Sequence, residues 1–560
     1  MNNPALTAHW PLRGSAQDIT AGHSGADFNL AYGEGPDGSP QGAALFNGRD
    51  SAIRVSDAES LRLGNRDFSI SVWVRPERPM RGVFGDILSK FDGERRCGLN
   101  LGVAGSSPAY NAMSDARHVH FGIDDGHVSA WEDCGRPWRG SSHVSCLITY
   151  EGELYGGIAD APDPMEAARV FRWAGGREWI DCGRLGADPN HLSVQSMIVH
   201  DGRLYAGTGV WDWVRAKMGE GFRPAPTRVF VYSGGTEWQD LGQVGNGARV
   251  MCLGSFDGGL YAGLDSGPGG GRCFRHDGSV WADCGAPDGR NLECLLPHDG
   301  ALYAATHGNV YRYEGGQSWA CIGREPHGIN QIHSMQVVGG ALLIGTWPQG
   351  YVLRREGDGW AIAGRLGLPE GMRECNEVMD LTVYNGKLYA GVIPKAQVYR
   401  YEADGRWTLM ASLASRPDWA EEDSPTWCRV TSLTAFRGRL LASTGACRGR
   451  AVDLDPDETL GRVLAFQAGQ VVSHEHDIGG DWTHLAAIRR GKGLHLYVNG
   501  RLSASSQAAG GRTFHLANTQ PLHIGLGAQG HFSGAMSDLR LYAGALSDAQ
   551  VGELCARRGR

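Results

Sequence analysis

Three imidazoles, His143, His307 and His333, fall at equivalent ends of a recurring hairpin unit, in the company of the cations Arg249, Lys395 and Arg429. Histidine titrates near neutral pH and can take and return a proton during catalysis. Guanidinium and ammonium groups hold a carboxylate or another anion. Trp211 and Trp347 offer flat apolar faces, and Asn291 and Asn330 offer amides. That combination suits a sugar ring, whose C–H face packs on indole while its hydroxyls seek polar partners. A sugar that carries a carboxylate permits β-elimination: cations neutralise the carboxylate, a base such as His143, His307 or His333 removes the acidified C5 proton, and an acid protonates the leaving oxygen. Hydrolysis is the rival chemistry. It requires paired carboxylates, and Glu377 is the first candidate, with Asp160, Asp265 and Glu374 beside it.

Each of these residues taken singly is also what solvent selects in a loop, and it is the set that points to a site. The same loop ends carry Gln331, Trp213, Trp427 and Arg448. Asp380 stands out differently. It occupies a strand position that holds Cys or Ser in the other repeats (Cys146, Ser196, Cys252, Cys294, Ser334, Ser432), so a carboxylate buried there needs a structural partner.

The elements that position these residues repeat seven times. A strand reading LYGG, LYAG, LYAG, LYAA, LLIG, LYAG or LLAS centres on Tyr155, Tyr205, Tyr261, Tyr303, Leu343, Tyr389 and Leu441. Each follows an apolar strand and a tight turn of the type EG, DG, GG, NG or RG. A third strand follows (RVFRW, RVFVY, RCFRH, NVYRY, YVLRR, QVYRY, RVLAF), and a fourth carries Trp-x-x-x-Gly at Trp131, Trp179, Trp238, Trp281, Trp319 and Trp360, with Trp407 as a variant lacking the glycine. Four strands at this period describe propeller blades. Trp131 precedes the first hairpin, and the last hairpin has no Trp strand after it. A ring of seven blades closes if the Trp131 strand joins the last blade, leaving no free sheet edge; an eight-bladed ring is the alternative. Loops entering strand one and leaving strand two then open on one face, around the channel mouth.

The flanks read as a separate fold. The order Trp482-Thr483-His484, Tyr497-Val498-Asn499-Gly500, Gly534 before Met536-Ser537-Asp538, and Ala545-Leu546-Ser547 resembles that of laminin-G-like jelly rolls, and His9-Trp10-Pro11-Leu12 with the strand Phe68 to Val74 supplies the matching opening. The resemblance covers about 200 residues, split by the propeller. It implies an all-β chain in which a seven-bladed β-propeller (126–468) is inserted into a concanavalin A-like, LamG jelly-roll sandwich (1–125 and 469–560). Half a sandwich leaves an apolar face uncovered, so both flanks must fold together. Jelly rolls of this kind bind glycans in some members and calcium in others. No Asp/Asn cluster here has calcium-loop spacing, so no metal or other cofactor is expected, calcium being the one ion the resemblance allows.

The architecture is also similar to that of propeller polysaccharide lyases, which implies a uronate-containing oligo- or polysaccharide as partner and β-elimination as the reaction. A glycoside hydrolase, a lectin-like glycan binder and a protein scaffold remain the alternatives. The formal charge of −8 is spread without basic runs, which argues against a nucleic-acid or membrane partner. No apolar stretch approaches a membrane span, and the N-terminus lacks a secretory profile, so the chain as it stands is expected in the cytoplasm. The 13 cysteines fall mostly at repeat positions and read as reduced core residues.

Overall fold

The computed structural model describes residues 4–20, 22–105, 113–161, 163–211, 219–265, 267, 270–324, 327–367, 376–414, 428–445 and 461–557. Seven four-stranded blades account for the centre of the chain. Their innermost strands are His143–Tyr150, Ser193–His200, Val250–Phe256, Leu292–His298, Gln331–Val338, Glu377–Tyr384 and Arg429–Phe436, which number blades 1 to 7. Each begins at the mouth and ends in a two-residue turn at the base. Glu132–Asp133 pairs antiparallel with Val463–Phe466, placing Glu132 opposite Ala465 and Asp133 opposite Leu464. The strand of Trp131 therefore completes blade 7, as the repeat count requires.

The Trp-x-x-x-Gly signature has a physical reason. The indole N–H of Trp179 donates to the carbonyl of Cys134 at 2.8 Å, that of Trp238 to Cys182 at 2.8 Å, and that of Trp319 to Cys284 at 2.8 Å. Each bond ties one outer strand to the outer strand of the preceding blade. The glycine follows that carbonyl with positive φ (96° at Gly183, 85° at Gly285), and a Cβ there would collide with a backbone carbonyl of the next blade. The aspartate two residues earlier accepts its amide, as Asp181 does from Gly183 at 2.8 Å.

Both flanks contribute to both sheets of one sandwich. Phe68–Pro76 lies between the C-terminal strands Thr483–Arg490 and Ser533–Ala543, and Leu522–Ile524 lies between Ala52–Val55 and Gly85–Asp92. The core between the sheets includes Trp10, Phe68, Val72, Leu101, Phe121 and Phe532. Alternation along the strands sends Leu99, Leu101 and Val103 into that core and Asn100 and Gly102 to the other face.

That other face covers the base of the propeller. The Asp257 amide donates to the Met80 carbonyl at 2.8 Å, Gly300 to Arg81 at 2.9 Å, Gly339 to Ala528 at 3.0 Å, and Gly152 to Glu475 at 3.1 Å. Asn385 donates its side-chain amide to Ile123 and Ala468 carbonyls, and Arg437 donates its backbone amide to the Glu475 carboxyl at 2.6 Å. The tight turns that join strands one and two are thus pinned to the sandwich, opposite the mouth face. A cavity of about 60 Å³ remains at the junction, lined by Asp86, Asn100, His118, His120, Gln336 and Gln529 among others.

Candidate active site at the propeller mouth

Each blade brings toward the channel one residue at or just before the start of strand one and one two further on, where the ladder of every blade carries a bulge. The outer ring is His143, Ser193, Arg249, Asn291, Gln331, Glu377 and Arg429; the inner is Ser145, Gln195, Met251, Glu293, His333, Met379 and Thr431. All are buried except Gln331, which is half-buried.

A chain of polar contacts runs along one side of this ring, through blades 4, 5 and 6. His307, at the end of strand two of blade 4, has Nε2 2.6 Å from a Glu293 carboxylate oxygen. His333 of blade 5 has Nδ1 3.6 Å from the other Glu293 oxygen and Nε2 2.9 Å from the Glu377 carboxylate of blade 6. Its Nε2 also lies 2.7 Å from Gln331 Oε1. Beyond Glu377 comes Arg429 of blade 7, whose guanidinium reaches Met379 Sδ at 4.0 Å and lies 5.7 Å from the centre of the Trp211 indole. His143 packs edge-on against the same indole at 4.7 Å. Gly445 makes room for it, since any side chain there would collide with the imidazole.

The charges in this chain are interlocked. Burial alone would lower the His333 pKa, but Glu377 and Glu293 push it up to about 10, so it is an imidazolium at neutral pH. Burial opposes ionisation of both glutamates. Hydrogen bonds from His307 and His333 nevertheless hold Glu293 well below the usual carboxylate range, and His333 with Arg429 does the same for Glu377. His143 is the reverse case: burial, aided by the nearby Arg429 charge, keeps it neutral. His333 thus holds its proton too tightly to act as a base at neutral pH. His307 differs in access, its side chain being 22 % exposed while its carboxylate partner Glu293 is 2 % exposed.

The residues singled out from sequence divide accordingly. Trp211, His143, Arg429, Glu377, His333 and His307 fall in or beside the contact chain. Arg249 and Asn291 line the same outer ring, Arg249 lying 3.7 Å from Asp265, whose carboxylate also accepts the Ala248 amide at 2.8 Å. Trp347 is half-buried at the end of strand two of blade 5, its carbonyl accepting the amide of exposed Asn330 at 2.9 Å. Lys395 is half-buried at the corresponding end of blade 6, with φ +63°. Trp213, Glu374, Trp427 and Arg448 lie outside the described residues. Asp380 is structural: its carboxylate accepts the backbone amides of Leu381 at 2.9 Å and Leu433 at 2.6 Å, joining blades 6 and 7.

Sequence reading missed Glu293. It sits inside the apolar run LECLLPH, which reads as core. The available signal was its place two residues beyond the outer ring, where His333 also stands. Among the described residues no group of three His, Cys, Asp or Glu side chains is arranged to hold a metal ion, and no helix is long and apolar enough to cross a membrane.

The sequence profile of the concanavalin A-like lectin/glucanases superfamily matches residues 425–552. No curated protein matches the chain. Solved structures of similar fold include virginiamycin B lyase from Staphylococcus aureus, at 10 % identity and TM-score 0.41 over 61 % of this chain and 99 % of that one. The WD40 propeller domain of Doa1 matches at 10 % identity and TM-score 0.40 over 60 % and 97 %, and a GH74 enzyme from Niastella koreensis at 12 % and 0.37 over 66 % and 60 %. These likenesses concern the propeller fold.

Proposed function

We propose that the protein is a carbohydrate-active enzyme that works at the propeller mouth on a uronate-containing saccharide by β-elimination. The observation that carries this reading is the His307–Glu293 pair: an accessible imidazole held at 2.6 Å by a buried, ionised carboxylate. That is the arrangement of a base and its orienting group. Bonding Nε2 to Glu293 leaves Nδ1 for the substrate.

Blade 3 adjoins blade 4, and its Arg249, in the outer ring, is the cation assigned to the uronate carboxylate. With that charge neutralised, His307 removes the C5 proton, the C4–O bond breaks as the C4=C5 bond forms, and the departing oxygen takes up the proton from the imidazolium. Arg429 and Trp211, farther round the mouth, would contact an adjoining sugar, with Lys395, Trp347, Asn291 and Asn330 as further contacts. His333 serves as a fixed positive charge rather than as the base.

Hydrolysis at the same mouth is the second reading. A hydrolase needs one carboxyl group protonated near neutral pH to serve as general acid. Glu293 and Glu377 are both held ionised, which counts against them in that role. Incubation with uronate-containing oligosaccharides, watched for the absorbance of an unsaturated product, tests the proposal. Removing a general base commonly costs about 10²–10⁴-fold in rate, so His307→Ala is expected to lose that much while leaving the fold intact. Undiminished turnover by His307→Ala would refute the assignment of the base. Products without a double bond would leave hydrolysis, and binding without turnover would leave a lectin.

A further inference from the structure

Blade 3 departs from its siblings at one cross-strand pair. At the second residue of the third strand every other blade carries valine: Val170, Val229, Val310, Val352, Val398 and Val463. Blade 3 carries Cys273. The facing position, three residues after the strand-four tryptophan, is Cys182, Leu241, Ile322, Ala363, Met410 or Cys134 in the others and Cys284 in blade 3. Only here do two thiols face each other.

The backbone brings them together. The Cys284 amide donates to the Cys273 carbonyl at 2.8 Å, the Cys273 amide donates to the Gly285 carbonyl at 2.8 Å, and the adjacent pair Phe274 and Asp283 is in register. Cys273 is opposed by the bulged residues Cys284 and Gly285, and neighbours across antiparallel strands, about 4.5–5.5 Å apart at Cα, lie within the range that a disulfide spans. Both side chains are buried in one small cluster with Tyr261, Leu292 and Leu295, and both are free thiols. The neighbouring Cys273 thiol lowers the Cys284 pKa to about 7, while burial raises Cys273. A thiolate next to a thiol is the form that oxidation attacks.

We infer that Cys273 and Cys284 form an oxidation site that closes into a cross-strand disulfide when the protein meets a hydroperoxide. The Cys284 thiolate attacks the peroxide and becomes a sulfenic acid, releasing water or an alcohol. Cys273 then displaces hydroxide from that sulfur, which leaves as a second water. Overall, two thiols lose two electrons and two protons to one peroxide. The bond would staple the third and fourth strands of blade 3, which are four and three residues long (Cys273–His276 and Trp281–Asp283) against seven each in blades 1, 2, 4 and 6.

The test treats the folded chain with equimolar hydrogen peroxide, blocks remaining thiols with an alkylating agent and maps peptides without reduction. The background is Cys321→Ser, which removes the one exposed cysteine among those described. A 273–284 cross-link that dithiothreitol reverses, with two thiols lost per molecule, is the expected result. Cys273→Val and Cys284→Leu install residues that other blades carry at these positions, so both should fold, and each should abolish the cross-link. Retention of both thiols in the folded protein, or cross-links that instead join Cys252 or Cys294, would overturn the inference.

Discussion

The two faces of the propeller differ in how most of their buried titratable groups are held. At the base, where the sandwich covers the turns, four groups lose their charge, whereas Asp115 keeps its own against His200 and the Asp201 amide. Burial pushes the Asp86 carboxyl up to about 7 against one hydrogen bond from the Gln529 amide, and Glu475 likewise up to about 7. The same desolvation drives His118 down to about 3 and His120 to about 4. At the mouth Glu293 and Glu377 keep their charge by pairing around His333, while His143 is held neutral. An unpaired buried charge is prohibitively costly, so a group must either neutralise or find a partner. Neutral groups suit a permanent seam between two folds, whereas retained charges are what a site for an ionic substrate requires.

The sharpest way to break this comparison is to remove the carboxylate on which the mouth network turns. Glu293→Gln keeps the shape but loses the negative charge that orients His307 and helps keep His333 protonated. Turnover on a uronate substrate is expected to fall about 10²-fold or more, and the His333 pKa should drop. Proton exchange at the His333 ring, followed by NMR, reads the second effect independently of any substrate. In the unaltered protein that ring should stay protonated from pH 5 to 8.

The base should respond to pH with two signs. His118 has a folded pKa of about 3 against about 6.5 unfolded. Its contribution is therefore fully present above pH 6.5 and is lost as pH falls toward 3, because the unfolded chain binds more protons there. Asp86 runs the other way: with a folded pKa of about 7 against 3.8, its contribution is present below pH 4 and is lost as pH rises through 7. Asp86→Asn removes the second effect alone. Denaturant unfolding should show the variant gaining about 2–3 kcal/mol on the unaltered protein between pH 5 and pH 8.5. A difference between variant and unaltered protein that does not change between these pH values would mean that Asp86 is not held neutral at the seam.

Much of the scaffold was legible because it repeats. Seven hairpins and a Trp-x-x-x-Gly strand out of phase by one blade suffice to infer ring closure, and the order of marks around Trp482 and Asn499 suffices for the split sandwich. Loop residues at the mouth could be gathered from the same register. What sequence could not supply is the partnership between blades. Glu293 looks apolar by its neighbours, and His333 looks like a base until two carboxylates from different blades are seen to flank it. The covering of the propeller base was likewise hidden, since Gly152, Asp257, Gly300 and Gly339 read as ordinary turn residues.

The smallest expected effect concerns the outer strands, where an uncharged indole bond ties neighbouring blades together. Trp238 donates to the Cys182 carbonyl at 2.8 Å, whereas the indole nitrogen of Trp281 is buried with no hydrogen-bond partner. Replacing either by phenylalanine removes similar apolar area, and only Trp238→Phe also strands a carbonyl between blades. A net hydrogen bond is worth about 0.5–1.5 kcal/mol, so Trp238→Phe should be the more destabilising of the two by roughly that margin. The comparison is read from midpoints of urea unfolding at a single pH, with equal slopes required so that the midpoints report stability alone. Because no titratable group is involved, the difference should not change between pH 5 and 8.5, in contrast with Asp86→Asn. A margin that moved with pH would show that the outer strands are coupled to the charged networks, and the division between neutral seam and charged mouth would then be too simple.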